Sequence, residues 1–327
     1  MIIISAMIER ISLFQNHEHP MKLWPSLAEK SRVLGLPNGG SIFYYDSEAI
    51  IAGDGRPRTV TGKPSIVLIH GLGDEADSWR HLAAPLSAAG FRVIAPDLPG
   101  FGRSAVKGRI SIEQSARAVL SLIDAAGAAD RKNPVVLAGS SLGAVIAESA
   151  AFRRPGMVKA LILMDGCFPM SGGINKDLLL LGLPFIGKKW YRSFRRNHEG
   201  AWLSLAPYYH NIEALPEADK KFLRERVIAR VESPAQERAY FASLRSLNLA
   251  DLFRRAGFSR RLRNTPAGFL ILWGAEDQVL APGRAGKLRA IRPDAAYAEI
   301  PGAGHLPHQE KPAETATAIL GFLKDLR

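Results

Sequence analysis

From residue 40 onward, short runs of apolar, often β-branched residues alternate with longer stretches of helical periodicity, and this rhythm constrains the fold more than any other feature of the chain. Ser65–Ile69 is an unbroken apolar run of the kind buried on both faces of a parallel sheet. Similar runs occur at Ser41–Tyr45, Phe91–Ala95, Pro134–Ala138, Ala160–Met164, Gly268–Trp273 and Ala296–Ile300. Between and after them, helical spacing predicts helices near 78–89, 112–126, 142–152, 282–290 and 312–326, the first closed by Gly90. Strand and helix in strict alternation imply an α/β fold, a mostly parallel twisted sheet flanked by helices.

Residues 168–263 break the rhythm. They carry no clear strand, Leu223, Val227 and Val231 fall at helical spacing, and the window holds 18 Lys and Arg against 9 Asp and Glu, nine of the chain's twelve net positive charges. The organisation expected is an N-terminal extension (1–37), a first core segment (38–167), a helical cap inserted between two core strands (168–263) and a second core segment (264–327). The apolar start of the chain is too brief to span a bilayer and has no basic leader, so residues 1–20 read as a disordered tail or as sequence upstream of a start at Met21.

The single cysteine, Cys167, rules out an intrachain disulfide and a multi-cysteine metal site; it suits a reducing compartment, hence a cytoplasmic location, and a small buried role near a site entrance. Nothing resembles a nucleic-acid-binding motif, so no nucleic-acid partner is expected. The cap does place an apolar block, Leu178–Ile186, beside Lys188, Lys189, Trp190, Tyr191, Arg192, Arg195 and Arg196. That pattern suits either an apolar pocket wall with a basic outer face or peripheral contact with an anionic lipid surface.

Gly139-Ser140-Ser141-Leu142-Gly143 fits G-x-S-x-G between a buried strand and a helix. A turn tight enough to project Ser141 is crowded, and glycine on either side relieves the crowding. The helix that begins at Leu142 points its free amides at the reacting centre. A serine hydroxyl needs a base, and the base an orienting acid. His305, in a loop after the last strand, and Asp277, just past the strand before it, both emerge at carboxyl ends of strands, the same edge as Ser141. Glu276 and Asp165 are the alternatives to Asp277. His308, His81, His198 and His210 are given packing, supporting or surface roles.

Together with His70-Gly71 and Asp97–Ser104, these motifs resemble the α/β-hydrolase fold superfamily, specifically its cap-bearing serine members, over about residues 38–327. The resemblance implies Ser141 as nucleophile, His305 as base, Asp277 as orienting acid and an oxyanion hole from the backbone amides of Leu72 and Leu142. His70, Gly71, Gly139 and Gly143 would support them. It implies acyl transfer without metal or organic cofactor, esterase- or lipase-like, on a moderately apolar acyl substrate. Ser140 departs from the commoner pattern, where His, Asn or Trp often precedes the nucleophile. C–C bond hydrolysis, lactonase, amidase and perhydrolase chemistry share the same triad, and a slow-turnover ligand-binding module could retain it. Epoxide hydrolysis and dehalogenation need a carboxylate where Ser141 stands. A dinucleotide reading, Gly71-Leu72-Gly73-Asp74-Glu75-Ala76 with Asp97, is formally available but leaves the Ser141 elbow and His305 unexplained.

Overall fold

The computed structural model describes residues 23–48, 62–166, 180–183, 185–253 and 255–326. Cys167, residues 1–20 and the first part of the apolar block lie outside them. Eight strands form one sheet: β1 (Ser31–Gly35), β2 (Ser41–Asp46), β3 (Ile66–Ile69), β4 (Val93–Pro96), β5 (Val135–Ser140), β6 (Val158–Met164), β7 (Gly268–Gly274) and β8 (Ala296–Ile300). Their spatial order is β1-β2-β4-β3-β5-β6-β7-β8; β2 is antiparallel to both its neighbours and all other pairs are parallel. β3 therefore sits between β4 and β5, where the chain reverses its direction of travel across the sheet, the point at which open α/β sheets leave a crevice at their carboxyl edge.

The unbroken apolar runs have a direct cause. Val67, Ile69, Leu137, Leu161 and Leu163 face one hydrophobic layer, while Ile66, Leu68, Val136, Ala138 and Ile162 face the other, so neither side of the central strands can be polar. The first layer is covered by α2 (Ile112–Ala125), α3 (Leu142–Arg153) and α9 (Gly283–Ile291); the second by α1 (Ala83–Ala88) and α11 (Pro312–Asp325). Ser111 caps α2 by accepting from the Gln114 amide, and the stripe Ile112, Ala116, Val119 and Ile123 faces the sheet.

Three expectations change. The sheet begins before residue 38: β1 pairs with β2 from Ser31 opposite Tyr45 to Gly35 opposite Ser41, and a 3-10 turn at Pro25–Lys30 precedes it. As an edge strand only partly buried, β1 carries no continuous apolar run to announce it. The helix expected over 78–89 divides into a 3-10 turn, Ala76–Trp79, and the short α1, because Pro85 would crowd the His81 carbonyl in one continuous helix. Among its described residues the insertion between β6 and β7 carries no strand and five α-helices: α4 (Ile186–Ser193), α5 (His198–Leu203), α6 (Glu217–Glu232), α7 (Pro234–Phe253) and α8 (Arg255–Arg263). Its last helix nevertheless belongs to the core layer, since α8 packs on α3 and α9, and Leu262 is fully buried in the main core. A short α10 (Pro307–Glu310) follows the His305 loop. Among the described residues no helix is long and apolar enough to cross a membrane.

Candidate active site

Ser141 sits between β5 and α3 at φ +53°, a left-handed conformation that costs a non-glycine residue energy and persists only where its surroundings enforce it. They do so by close packing. A Cβ on Gly139 would run into the Gly143 carbonyl, one on Gly143 into the Ile69 carbonyl, and one on Gly166 into the Ser141 backbone. The Ser141 amide is also held by the Met164 carbonyl at 2.9 Å. Gly166 is a support that the sequence reading missed. Ser140, the departure from the commoner pattern, is fully buried with its hydroxyl unpartnered.

The turn after β3 approaches the same point: a Cβ on Gly71 would lie 3.4 Å from that of Ser141. His70 braces this turn. Its Nε2 accepts from the Leu98 amide at 2.8 Å, which leaves the proton on Nδ1 to donate to the Gly71 carbonyl at 2.8 Å. Burial lowers its pKa, so the imidazole holds both bonds uncharged. Among the described residues, neither the Leu72 nor the Leu142 amide donates a hydrogen bond, although both border the cavity at Ser141. Two unengaged amides at one wall are what an incoming oxyanion requires.

Asp277, past β7, is buried and anchored by its own turn: Oδ1 accepts from the Val279 and Leu280 amides at 2.8 and 2.9 Å. Oδ2 accepts from His305 Nδ1 at 2.8 Å, fixing the tautomer that leaves Nε2 basic. Nε2 is buried and has no hydrogen-bond partner, the Ser141 hydroxyl included. In unliganded sites this bond is commonly unmade and forms with substrate. The two alternative acids have other work. Glu276 accepts from the Ala303 amide at 3.1 Å and so ties the loop that carries His305. Asp165, fully buried at φ +46°, accepts from the Gly274 amide at 2.8 Å. Burial and the neighbouring Asp277 hold its pKa far above the usual carboxylate range, so Asp165 keeps its proton. Ligand atoms of Asp165, Asp277 and His305 lie within 4.8 Å of one another, and both Asp277 oxygens accept hydrogen bonds, Oδ1 from the Val279 and Leu280 amides and Oδ2 from His305 Nδ1.

Ser141 and His305 line one cavity of about 160 Å3. Its walls are apolar: Trp190 and Phe194 near α4, Leu223, Val227 and Val231 from α6, Tyr240 and Leu244 from α7. The acidic and basic residues in its lining besides His305 are Asp74 and Arg230, and Arg230 is fully committed, to Asp74 at 2.7 Å and Glu75 at 2.8 Å.

That commitment belongs to a buried ion network, missed in the sequence, that fastens α6 over the core. Arg226 pairs with Asp77 at 2.9 Å and Glu75 at 3.3 Å; Arg80 pairs with Asp219 at 2.5 Å near the other end of α6. Burial alone would raise the pKa of Glu75, but Arg230 and Arg226 outweigh it and pull it down to about 2. A signal was present: Arg226 and Arg230 interleave with Leu223, Val227 and Val231 on a stripe that should be apolar. His308, expected at the surface or in support, is fully buried; its Nε2 lies 2.8 Å from the Ser78 hydroxyl and its ring 4.2 Å from that of Trp79. Burial lowers its pKa to about 3. His81 pairs with Asp219 and the exposed His198 with Glu232.

The dinucleotide reading fails on two observations. The Gly71–Ala76 stretch leads into a four-residue 3-10 turn instead of a helix whose amino end could hold phosphate, and Asp97 is saturated by the Ala76 amide and by Arg103.

The pattern of the Alpha/beta hydrolase family matches residues 66–318. Lipase 3 of Moraxella sp. is 27% identical over 300 residues, 90% of this chain and 84% of its own length. Lipase 1 of Psychrobacter immobilis is 28% identical over 268 residues, 80% of this chain and 77% of its own. A solved structure of a membrane phospholipase A, described as a bacterial virulence factor, superposes with a TM-score of 0.69 at 26% identity, covering 91% of this chain and 86% of that one. With a matching fold, a matching pattern and relatives that are hydrolases over most of their length, the chain belongs to the alpha/beta hydrolase family and is a hydrolase.

Proposed function

We propose that the protein is a serine hydrolase that cleaves carboxylic esters of moderately apolar acids through an acyl-enzyme on Ser141. The observation that carries this reading is His305, tied to Asp277 through Nδ1, with a bare Nε2 and a place beside Ser141 in one apolar cavity. In the reaction the Ser141 hydroxyl attacks the ester carbonyl while Nε2 takes its proton, and Asp277 steadies the imidazolium. The oxyanion accepts from the Leu72 and Leu142 amides. Collapse expels the alcohol with the proton from Nε2; water, deprotonated by the same nitrogen, then attacks the acyl-enzyme and releases the acid.

The lining supports a neutral acyl group, because its one arginine is already paired with two carboxylates. The two relatives named as lipases support an ester as the bond broken. A cytoplasmic setting, which the single cysteine suits, is part of the same proposal. The test is a panel of p-nitrophenyl esters of increasing acyl length, run beside Ser141→Ala. A defined acyl-length optimum that disappears in Ser141→Ala, by about 10^4-fold or more, is the result expected. Undiminished hydrolysis in the variant would remove Ser141 from the chemistry. Fluorophosphonate labelling of Ser141 without turnover of any ester would replace esterase with another carbonyl substrate or with a binding module.

A further inference from the structure

We infer that the amino end of α4 and the residues before it form a docking surface for a lipid membrane bearing anionic headgroups, placed at the mouth of the catalytic cavity. Five of the eight large hydrophobic side chains exposed among the described residues fall within eleven positions: Leu180, Leu183, Phe185, Ile186 and Trp190. Phe185 is 89% exposed, the highest value of the eight. Exposed apolar residues scattered singly are ordinary, but a cluster of this size marks an interaction site.

The helix sorts these residues by face. Gly187 and Tyr191, four apart, turn inward, and a Cβ on Gly187 would lie 2.9 Å from the Phe241 ring. Phe185 with Lys189, and Ile186 with Trp190, are the matching pairs on the outward face. The face is therefore apolar with cations set into it. No acidic residue occurs between Asp177 and Glu199, while Lys188, Lys189, Arg192, Arg195 and Arg196 all do. Glu237 pairs with Arg192 and Arg195; Lys188, Lys189 and Arg196 are in no salt bridge among the described residues. Exposed aromatic and aliphatic side chains beside unneutralised lysines match the two layers of an anionic bilayer surface, acyl carbon below and phosphate above.

Position gives the surface its meaning. Trp190 is 45% exposed and at the same time lines the cavity that holds Ser141 and His305. The indole is thus shared between the outward ridge and the inner wall. Docking itself does not depend on the esterase reading; that the surface feeds acyl groups to Ser141 does rest on it.

The experiment is flotation of the full chain with vesicles of phosphatidylcholine alone and with about one third phosphatidylglycerol, using Ser141→Ala so that no lipid is consumed. Anionic vesicles are expected to carry the protein up, and neutral ones to carry at least about tenfold less, with the difference shrinking in high salt. The double variant Phe185→Ser/Ile186→Ser, built on the active chain, should float about tenfold less while hydrolysing a short soluble ester at the parental rate, which shows that its fold is intact. Absence of flotation on anionic vesicles, or flotation indifferent to the double variant, overturns the proposal. So does concentration-dependent dimerisation abolished by the double variant without vesicle binding, which would assign the ridge to a second copy of the chain. Flotation without hydrolysis of any ester would leave the surface standing and defeat the esterase reading alone.

Discussion

The floor and the roof of the cavity are built by opposite means. The floor is backbone: Ser141 and Asp165 at positive φ, the amides of Leu72 and Leu142, and glycines 139, 143 and 166 pressed against neighbouring main chain. The roof is side chain, apolar residues of α4, α6 and α7 clamped down by Arg226 and Arg230 on Glu75, Asp77 and Asp74. A floor made of backbone fixes where the Ser141 side chain and the two free amides lie and admits almost no substitution. A roof made of side chains can change its shape residue by residue while the ion clamp keeps it in place.

If the floor's geometry is what makes His305 a base, Asp277→Asn should be the most damaging conservative change. It should lower kcat for a short ester about 10^4-fold with little change in melting temperature, because the wrong tautomer is installed without loss of volume. An effect below tenfold would mean that the carboxylate does not set the tautomer. The roof should answer differently. Arg230→Met leaves Glu75 and Asp74 facing a low-dielectric interior and should cost about 3–5 kcal/mol in urea unfolding, with KM for long-chain esters rising more than for acetate. Equal effects on both esters would erase the distinction between roof and floor.

Acid should loosen the clamp. The Glu75 carboxyl is held at about 2 against its ordinary value of 4.5, so its contribution is complete above pH 4.5 and disappears as pH falls towards 2. The shift amounts to about 3 kcal/mol, visible as a fall in melting temperature over that window that Arg230→Met should flatten. The smallest effect expected is at Asp165. A protonated carboxyl is well imitated by an amide, so Asp165→Asn should retain activity within about threefold, whereas Asp165→Ala, which leaves the Gly274 amide without an acceptor, should be clearly less stable. Inactivity of the Asn variant together with full activity at alkaline pH in the parent would show that Asp165 works ionised.

The same division explains what could be read in advance. Most floor residues announce themselves, Gly166 excepted, because a tight turn against packed backbone demands glycine at fixed offsets and because buried parallel strands must be apolar without interruption; Ser141, Asp277 and His305 could be placed at strand ends from these signals. The roof's fastening could not. Arg230 and Glu75 are 155 positions apart, and nothing local to either tells which buried charge will meet which. β1 was hidden because an edge strand alternates in exposure; Pro85 signalled the break before α1, but not the turn at Ala76–Trp79, which serves tertiary contacts such as the bonds Asp77 accepts from Tyr45 and the Trp24 amide. Which of its two expected places His308 takes, surface or support, was hidden for the same reason: its burial depends on Ser78 and Trp79, about 230 residues away.

Asp74 lies two positions after Leu72, so the clamp on α6 and the amide proposed to meet the oxyanion share one short stretch of chain. A guest too wide for the space beneath α6 would disturb its own seat and the electrophilic partner of its carbonyl together. Selectivity between acyl groups should therefore surface in turnover as strongly as in affinity, with tight-fitting but slowly cleaved esters as its hallmark.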